Sequence, residues 1–150
     1  MTTAASTRDW PMLAFESDYK AVVAILQELQ SGNVDEAIEG LQELIESMCA
    51  ASQREMATFL TLLMAHIIKW KTQPNLRSTS WVRTIKNSRR EIAAIQETVP
   101  SVTDEVIGRW WDRCFRAALD DAETEMEQDS AVAVLTWQEV FDDEYVIPRK

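Results

Sequence analysis

Three glycines and four prolines are the only strong chain breakers among 150 residues, and that scarcity constrains the fold more than any motif does. A many-stranded protein turns about every ten residues, and a disordered chain is richer still in these residue types. A chain so poor in them is expected to be all-α, built from a few long helices. At 46% apolar it can bury a core without disulfide or metal staples. The expected architecture is a single-domain up-and-down bundle over residues 17–150, with five main helices and a short C-terminal one. Residues 1–16 lack a sustained period and contain Trp10-Pro11, so they read as a loose arm that docks through its aromatics.

The breakers and capping signals place the helices. Tyr19, Val22, Val23, Leu26 and Leu29 follow one helical face after Asp18, and Ser31-Gly32 ends that helix, with Gly32 free to take the left-handed cap conformation. Asn33 can cap a second helix, whose inward stripe is expected to be Val34, Ile38, Leu41, Ile45 and Met48. Ser52 with Glu55 has capping-box spacing, which suggests a third helix starting there; a helix continuous through this point is the alternative. The third helix is apolar almost all round from Phe59 to Trp70, the mark of a central helix packed by several neighbours. Gln73-Pro74-Asn75 stops it. Ser78 or Ser80 can cap a fourth helix with Trp81, Ile85, Ser88, Ile92 and Ile95 inward. Val99-Pro100 ends that one, Ser101 with Asp104 suggests a second capping box, and a fifth helix follows through Met126. Thr136 with Glu139 points to the last short helix.

Charge is segregated along this framework. The formal net charge is −10, yet Met56 to Arg90 holds no Asp or Glu and carries Lys69, Lys71, Arg77, Arg83, Lys86, Arg89 and Arg90. Basic groups in the last turn of the third helix complement its dipole. Those at the start of the fourth helix oppose its dipole and need acidic compensation, internal or external. Lys71, Arg77, Arg83, Lys86 and Arg90, with Trp81 beside them, are therefore the candidate anion or partner surface. Cation plus stacking ring is a combination that single-strand binders use, but the overall acidity opposes nucleic acid. Three scattered glycines cannot make a phosphate cradle. The longest apolar run, Met56 to Ile68, is too short for a membrane span. Cys49 and Cys114 have no metal or redox spacing, and the N-terminus has no signal-like apolar core. A cytoplasmic protein with reduced thiols, no cofactor and no membrane contact is expected.

His66, the only histidine, lies within the apolar stripe of the third helix. A core imidazole needs a hydroxyl, a carboxylate or a carbonyl at both ring nitrogens; as a polar centre inside the bundle it is expected to face Glu43 or Glu46 of the second helix. The Glu-x-x-His pair of di-metal bundles is missing, because Leu63 stands three residues before His66; no metal is expected.

The run HIIKWKTQPNLRSTSW, continued by VRTIKNSRREI, resembles the bacterial domain-of-unknown-function family 29. The matching positions are His66, Lys69, Trp70, Gln73, Pro74, Ser80, Trp81, Ile85 and Arg89. Upstream, LQELIESM is similar to the family's glutamate-rich helix through Glu43, Glu46, Ser47 and Met48, and Asp18-Tyr19 resembles its aspartate-aromatic start. Two departures are Val22 and Val23, where the family often has a tryptophan, and Cys49, where it has a small glycine. The resemblance implies a small, soluble, all-helical bacterial protein of no established activity, and it brings no catalytic residues. The matched positions are also the oddly polar ones, so a structural polar network of Glu43, Glu46, His66, Lys69 and Arg89 is expected. The leading functional expectation is a non-enzymatic interaction or adaptor module, self-associating or bound to another protein, with its contact surface at the basic fourth helix. Binding of an anionic ligand or nucleic acid is the alternative, and an enzyme using His66 with Glu46 is third.

Overall fold

The computed structural model describes residues 8–149, which form two compact units divided between Ala51 and Ser52. The secondary structure is helical throughout, with no strand among the described residues. Helix α1 spans Trp10–Glu16, α2 Asp18–Gln30, α3 Val34–Thr72, α4 Thr79–Thr98 and α5 Asp104–Met126. A 3-10 turn, Pro74–Leu76, connects α3 to α4, and one π-helical turn, Gln138–Asp142, follows α5.

Two boundaries differ from the sequence reading. Helices two and three are one helix, α3, because nothing between Ala50 and Met56 breaks it and Ala50, Ala51, Gln53, Arg54 and Glu55 are good helix formers. The capping spacing of Ser52 and Glu55 therefore lies in a helix interior. The arm expected over residues 1–16 is, from Trp10 onward, helix α1, and residues 1–7 lie outside the described range. Asp9 caps α1 by accepting from the Met12 amide, and Pro11 fits its first turn.

The first unit holds α1, α2 and the opening half of α3. Gly32, at φ +79°, makes the tight α2–α3 turn, as its position suggested. Asn33 stands at the N-cap position of α3, its carbonyl accepting from the Ala37 amide, and its side-chain amide donates to Glu28, which also accepts from Arg8. The core of this unit is small: Trp10, Ala21, Ala24, Ile25, Ala37 and Leu44. Gly40 permits a close approach, since a Cβ there would stand 2.7 Å from the Trp10 ring and 2.8 Å from Ile25. The buried Trp10 ring is pinned by its Nε1, which donates to Glu36 at 2.7 Å.

The second unit packs the rest of α3 with α4, α5 and the C-terminal segment. Met56, Leu60, Leu63, Met64, Ile67 and Ile68 are fully buried, in keeping with the all-round apolarity of that stretch. Ile85, Ser88, Ile92 and Ile95 face inward from α4, and Val106, Ile107, Cys114, Ala118 and Ala122 from α5. Ser78 caps α4 through the Trp81 amide, whereas α5 is capped by Thr103 through the Val106 amide, two residues beyond the Ser101 start suggested by spacing. Gly108 on α5 has open space where a Cβ would stand. Gly108→Ala is expected to stabilise the second unit by about 0.5–1 kcal/mol through helix propensity alone, read from the urea midpoint; a loss would mean the position is crowded.

Candidate functional site

The polar run around the α3–α4 connection is assembled in the second unit, with partners other than those expected. Lys69 is buried and its Nζ donates to Glu125 of α5 at 2.8 Å while lying 5.2 Å from the Trp81 ring. Glu125 is thereby held below the usual carboxylate range by the ammonium hydrogen bond. Arg89 donates from Nε to the Val140 carbonyl at 2.8 Å and from a terminal nitrogen to the Glu139 carbonyl at 3.3 Å. Glu43 and Glu46 belong to the first unit and share the continuous helix α3 with His66. Glu46 and His66 stand twenty positions apart on that one helix and not on two neighbouring ones. The carboxylates beside His66 and Lys69 come instead from α5.

The C-terminal segment completes this assembly. Thr136 and Glu139 exchange hydrogen bonds as the spacing suggested: the Thr136 amide donates to the Glu139 carboxylate at 3.0 Å, and the Glu139 amide donates to Thr136 Oγ1 at 3.1 Å. The same Glu139 carboxylate takes Lys71, whose hydrogen bond is the largest cause of its lowered pKa. Tyr145 stands edge-on to Trp70 and donates its hydroxyl to the Glu139 carbonyl at 2.6 Å. Burial, then Asp143 and Glu139, push its phenol up to about 12, so it remains a donor at neutral pH. Trp137 stacks on Trp111 with centroids 5.5 Å apart, and Leu135 and Val140 are buried. Gln73 and Thr72 reach Gln128 and Ser130 just past α5.

Two residues of the candidate anion surface are therefore engaged internally: Lys71 by Glu139, and Arg77 by Trp70. Arg77 donates to the Trp70 carbonyl at 2.9 Å, one of the last carbonyls of α3, and lies 4.6 Å over its ring. Trp81 is half-buried under Lys69. Arg83, Lys86 and Arg90 are exposed on α4, and among the described residues none has a carboxylate within 4 Å.

His66 is half-buried and lines a groove of about 780 Å³ between α3 and α5, with Thr58, Leu62, Trp110, Cys114 and Glu125. Its Nδ1 lies 2.9 Å from the Leu62 carbonyl; a carbonyl only accepts, so Nδ1 carries the proton in the neutral ring. Cys114 points its sulfur at the Ala57 carbonyl at 3.6 Å, and burial pushes its thiol up. The groove thus holds a neutral thiol and an imidazole that are engaged separately, not a nucleophile hydrogen-bonded to its base. Burial lowers the His66 pKa, the Leu62 bond opposes this, and Lys69 adds to it. The folded state then binds this proton less readily than the unfolded chain, whose value is about 6.5. Stability is expected to fall as pH drops from 7.5 to 5.5, and His66→Gln should flatten that slope, measured by urea unfolding. An equal slope in the variant would assign it elsewhere, since no other histidine is present.

In the first unit the largest feature is a bare apolar face, which overturns the inward orientation expected for the Val34 to Met48 stripe and leaves the apolar face of α2 uncovered beside it. Tyr19, Val22, Leu26 and Leu29 of α2 and Val34, Ile38, Leu41, Ile45 and Met48 of α3 are 44–78% exposed. The residues that turn inward are Ala21, Ala24 and Ile25 on α2 and Ala37, Gly40 and Leu44 on α3. At 100° per residue, each exposed stripe lies roughly 90–130° round its helix from the buried one, in the same rotational sense. Two helices joined by a three-residue turn run antiparallel, and in an antiparallel pair equal rotations bring both stripes to one side of the hairpin. Helix α1 attaches through Trp10 at Gly40 and through the Ala14 carbonyl, which accepts from Ser47. Those α3 positions lie on the opposite flank of the α2 contact.

No helix among the described residues is long and apolar enough to cross a membrane. No protein of curated function and no solved structure matches the chain. The family described as Domain of unknown function DUF29 matches residues 15–146, a span that takes in the exposed hairpin, the Lys69–Glu125 pair and the C-terminal Glu139–Tyr145 lock. The chain belongs to the DUF29 family.

Proposed function

We propose that this protein is a protein-interaction module whose contact surface is the bare face of α2 and the first half of α3. The observation that carries this reading is the exposure of nine large apolar side chains on one side of the hairpin. Contiguous exposed apolar patches on monomers rarely exceed a few hundred Å² unless they are contact sites. This reading assigns the contact to the first unit and not to the basic fourth helix, beside which Trp70 and Trp81 serve Arg77 and Lys69 internally. A photo-reactive residue at Ile45 tests it in native cells, with one at Arg90 as the control. Adducts at position 45 and none at position 90 are expected; no adduct at 45 would remove the reading.

A second reading rests on Arg83, Lys86 and Arg90, which recur on the exposed side of α4 without a carboxylate partner among the described residues. They supply the charge for an anionic ligand such as phosphate or a single strand. Three phosphate contacts would give log affinity against log salt a slope of roughly −2 for single-stranded DNA. Absence of binding to a labelled oligonucleotide at low salt would sink this reading.

A further inference from the structure

We infer that the occupant of the bare face is a second copy of this chain, the two α2–α3 hairpins closing about a twofold axis into a four-helix bundle. This rests on the interaction reading above and goes further by naming the partner. Spacing is the first support. Tyr19, Val22, Leu26 and Leu29 follow at three, four and three residues, and Val34, Ile38, Leu41, Ile45 and Met48 at four, three, four and three. That alternation is the heptad seam by which bundle helices interlock. A hairpin carrying two such seams side by side is half of a four-helix bundle, and another hairpin of the same kind completes it, whereas one isolated helix would leave part of each seam wet.

Area is the second support. Nine side chains exposed to this extent present on the order of 800 Å², close to the share each partner contributes to a standard stable interface.

Charge placement is the third. An isologous contact brings each surface against itself, so a charged border would repel. Glu36, Glu39, Glu43 and Glu46 lie on the turns of α3 that face away from the seam, and the positions bordering it midway are Val23, Gln30 and Gln42. The acids closest to it, Asp18 and Asp35, stand near opposite ends of the hairpin, at the starts of α2 and α3. A basic amphipathic partner would be matched by acids all along the border, and here they stand only at its two ends.

Sedimentation equilibrium of the full chain tests the inference. The wild type is expected to be a concentration-dependent dimer. Ile38→Glu with Ile45→Glu should weaken dimerisation at least about 100-fold, because each charge is introduced twice at the seam, while helical circular dichroism is retained since both positions are solvent-facing in one chain. Arg83→Glu with Arg90→Glu should leave dimerisation unchanged. A wild type that stays monomeric at about 100 µM, or a double-Glu variant that still dimerises, would overturn self-association by this face. The cross-link at Ile45 separates the two readings. An adduct of twice the chain mass supports the dimer. A hetero-adduct from a monomeric wild type sinks the dimer and keeps the interaction face; a monomer with no adduct sinks both.

Discussion

Arg89→Ala is expected to cost about 3 kcal/mol and to free the C-terminal segment from the second unit. Its guanidinium is the donor that reaches the Val140 carbonyl, and Val140 is fully buried. Hydrogen bonds from a charged donor contribute about 1.5–3 kcal/mol, and a stranded buried acceptor adds a desolvation penalty. The Glu139 carbonyl suffers less, because the Tyr145 hydroxyl also donates to it. The guanidinium also lies 5.5 Å from the Tyr145 ring, so its attraction to that ring disappears with the side chain. Arg89→Lys should recover only part of the loss, since an ammonium cannot reproduce a planar fork directed at two successive carbonyls. Urea unfolding measures the cost, and faster proteolysis within residues 127–149 reports release of the segment. A cost below about 1 kcal/mol with the segment still protected would show that Trp137 stacking and the buried Leu135 hold it unaided.

Gly40→Ala should destabilise the first unit by about 1–2 kcal/mol, opposite in sign to Gly108→Ala. Both changes gain up to about 1 kcal/mol in helix propensity. At Gly40 the new methyl meets the Trp10 ring at 2.7 Å and Ile25 at 2.8 Å, and such overpacking costs about 1–3 kcal/mol or more. The ring has little freedom to retreat, because its Nε1 is bound to Glu36 and the residue is 1% exposed. Hydrogen exchange over residues 18–48 should accelerate while the α4 and α5 amides keep their protection. Unchanged protection in α2 would mean that α1 can detach at little cost.

Much of the fold was legible because helix formation is local. The Gly32 turn, the Pro74 stop, the Ser78 cap, the Thr136–Glu139 box and the inward stripes of α4 and α5 each depend on residues within a few positions of one another. The continuity of α3 was less legible, since a capping box spacing inside a run of good helix formers has two local solutions. Which carboxylate meets Lys69 was not legible. Glu125 lies 56 positions away, and from the sequence it is one of many acids in a tail that looks uniformly solvated. Glu139 gave a partial signal through its capping spacing, while its bond to Lys71 depended on the chain return that Trp137, Val140 and Tyr145 anchor.

The first unit marks the limit most clearly. Periodicity revealed that α2 and the start of α3 are amphipathic, and by itself it pointed the largest apolar residues inward. Their apolar arcs cover about half the circumference of α3 and roughly two thirds of that of α2, wide enough to hold two stripes. The tertiary structure turned the small stripe inward, Ala21, Ala24, Ala37 and Gly40, because small side chains let backbones approach and leave room for the Trp10 ring. The sequence therefore determined the helices, their ends and the apolar faces, all set by neighbours along the chain. Which face is covered and which carboxylate meets which cation was decided only by tertiary packing, since both depend on groups that the chain brings together from far apart.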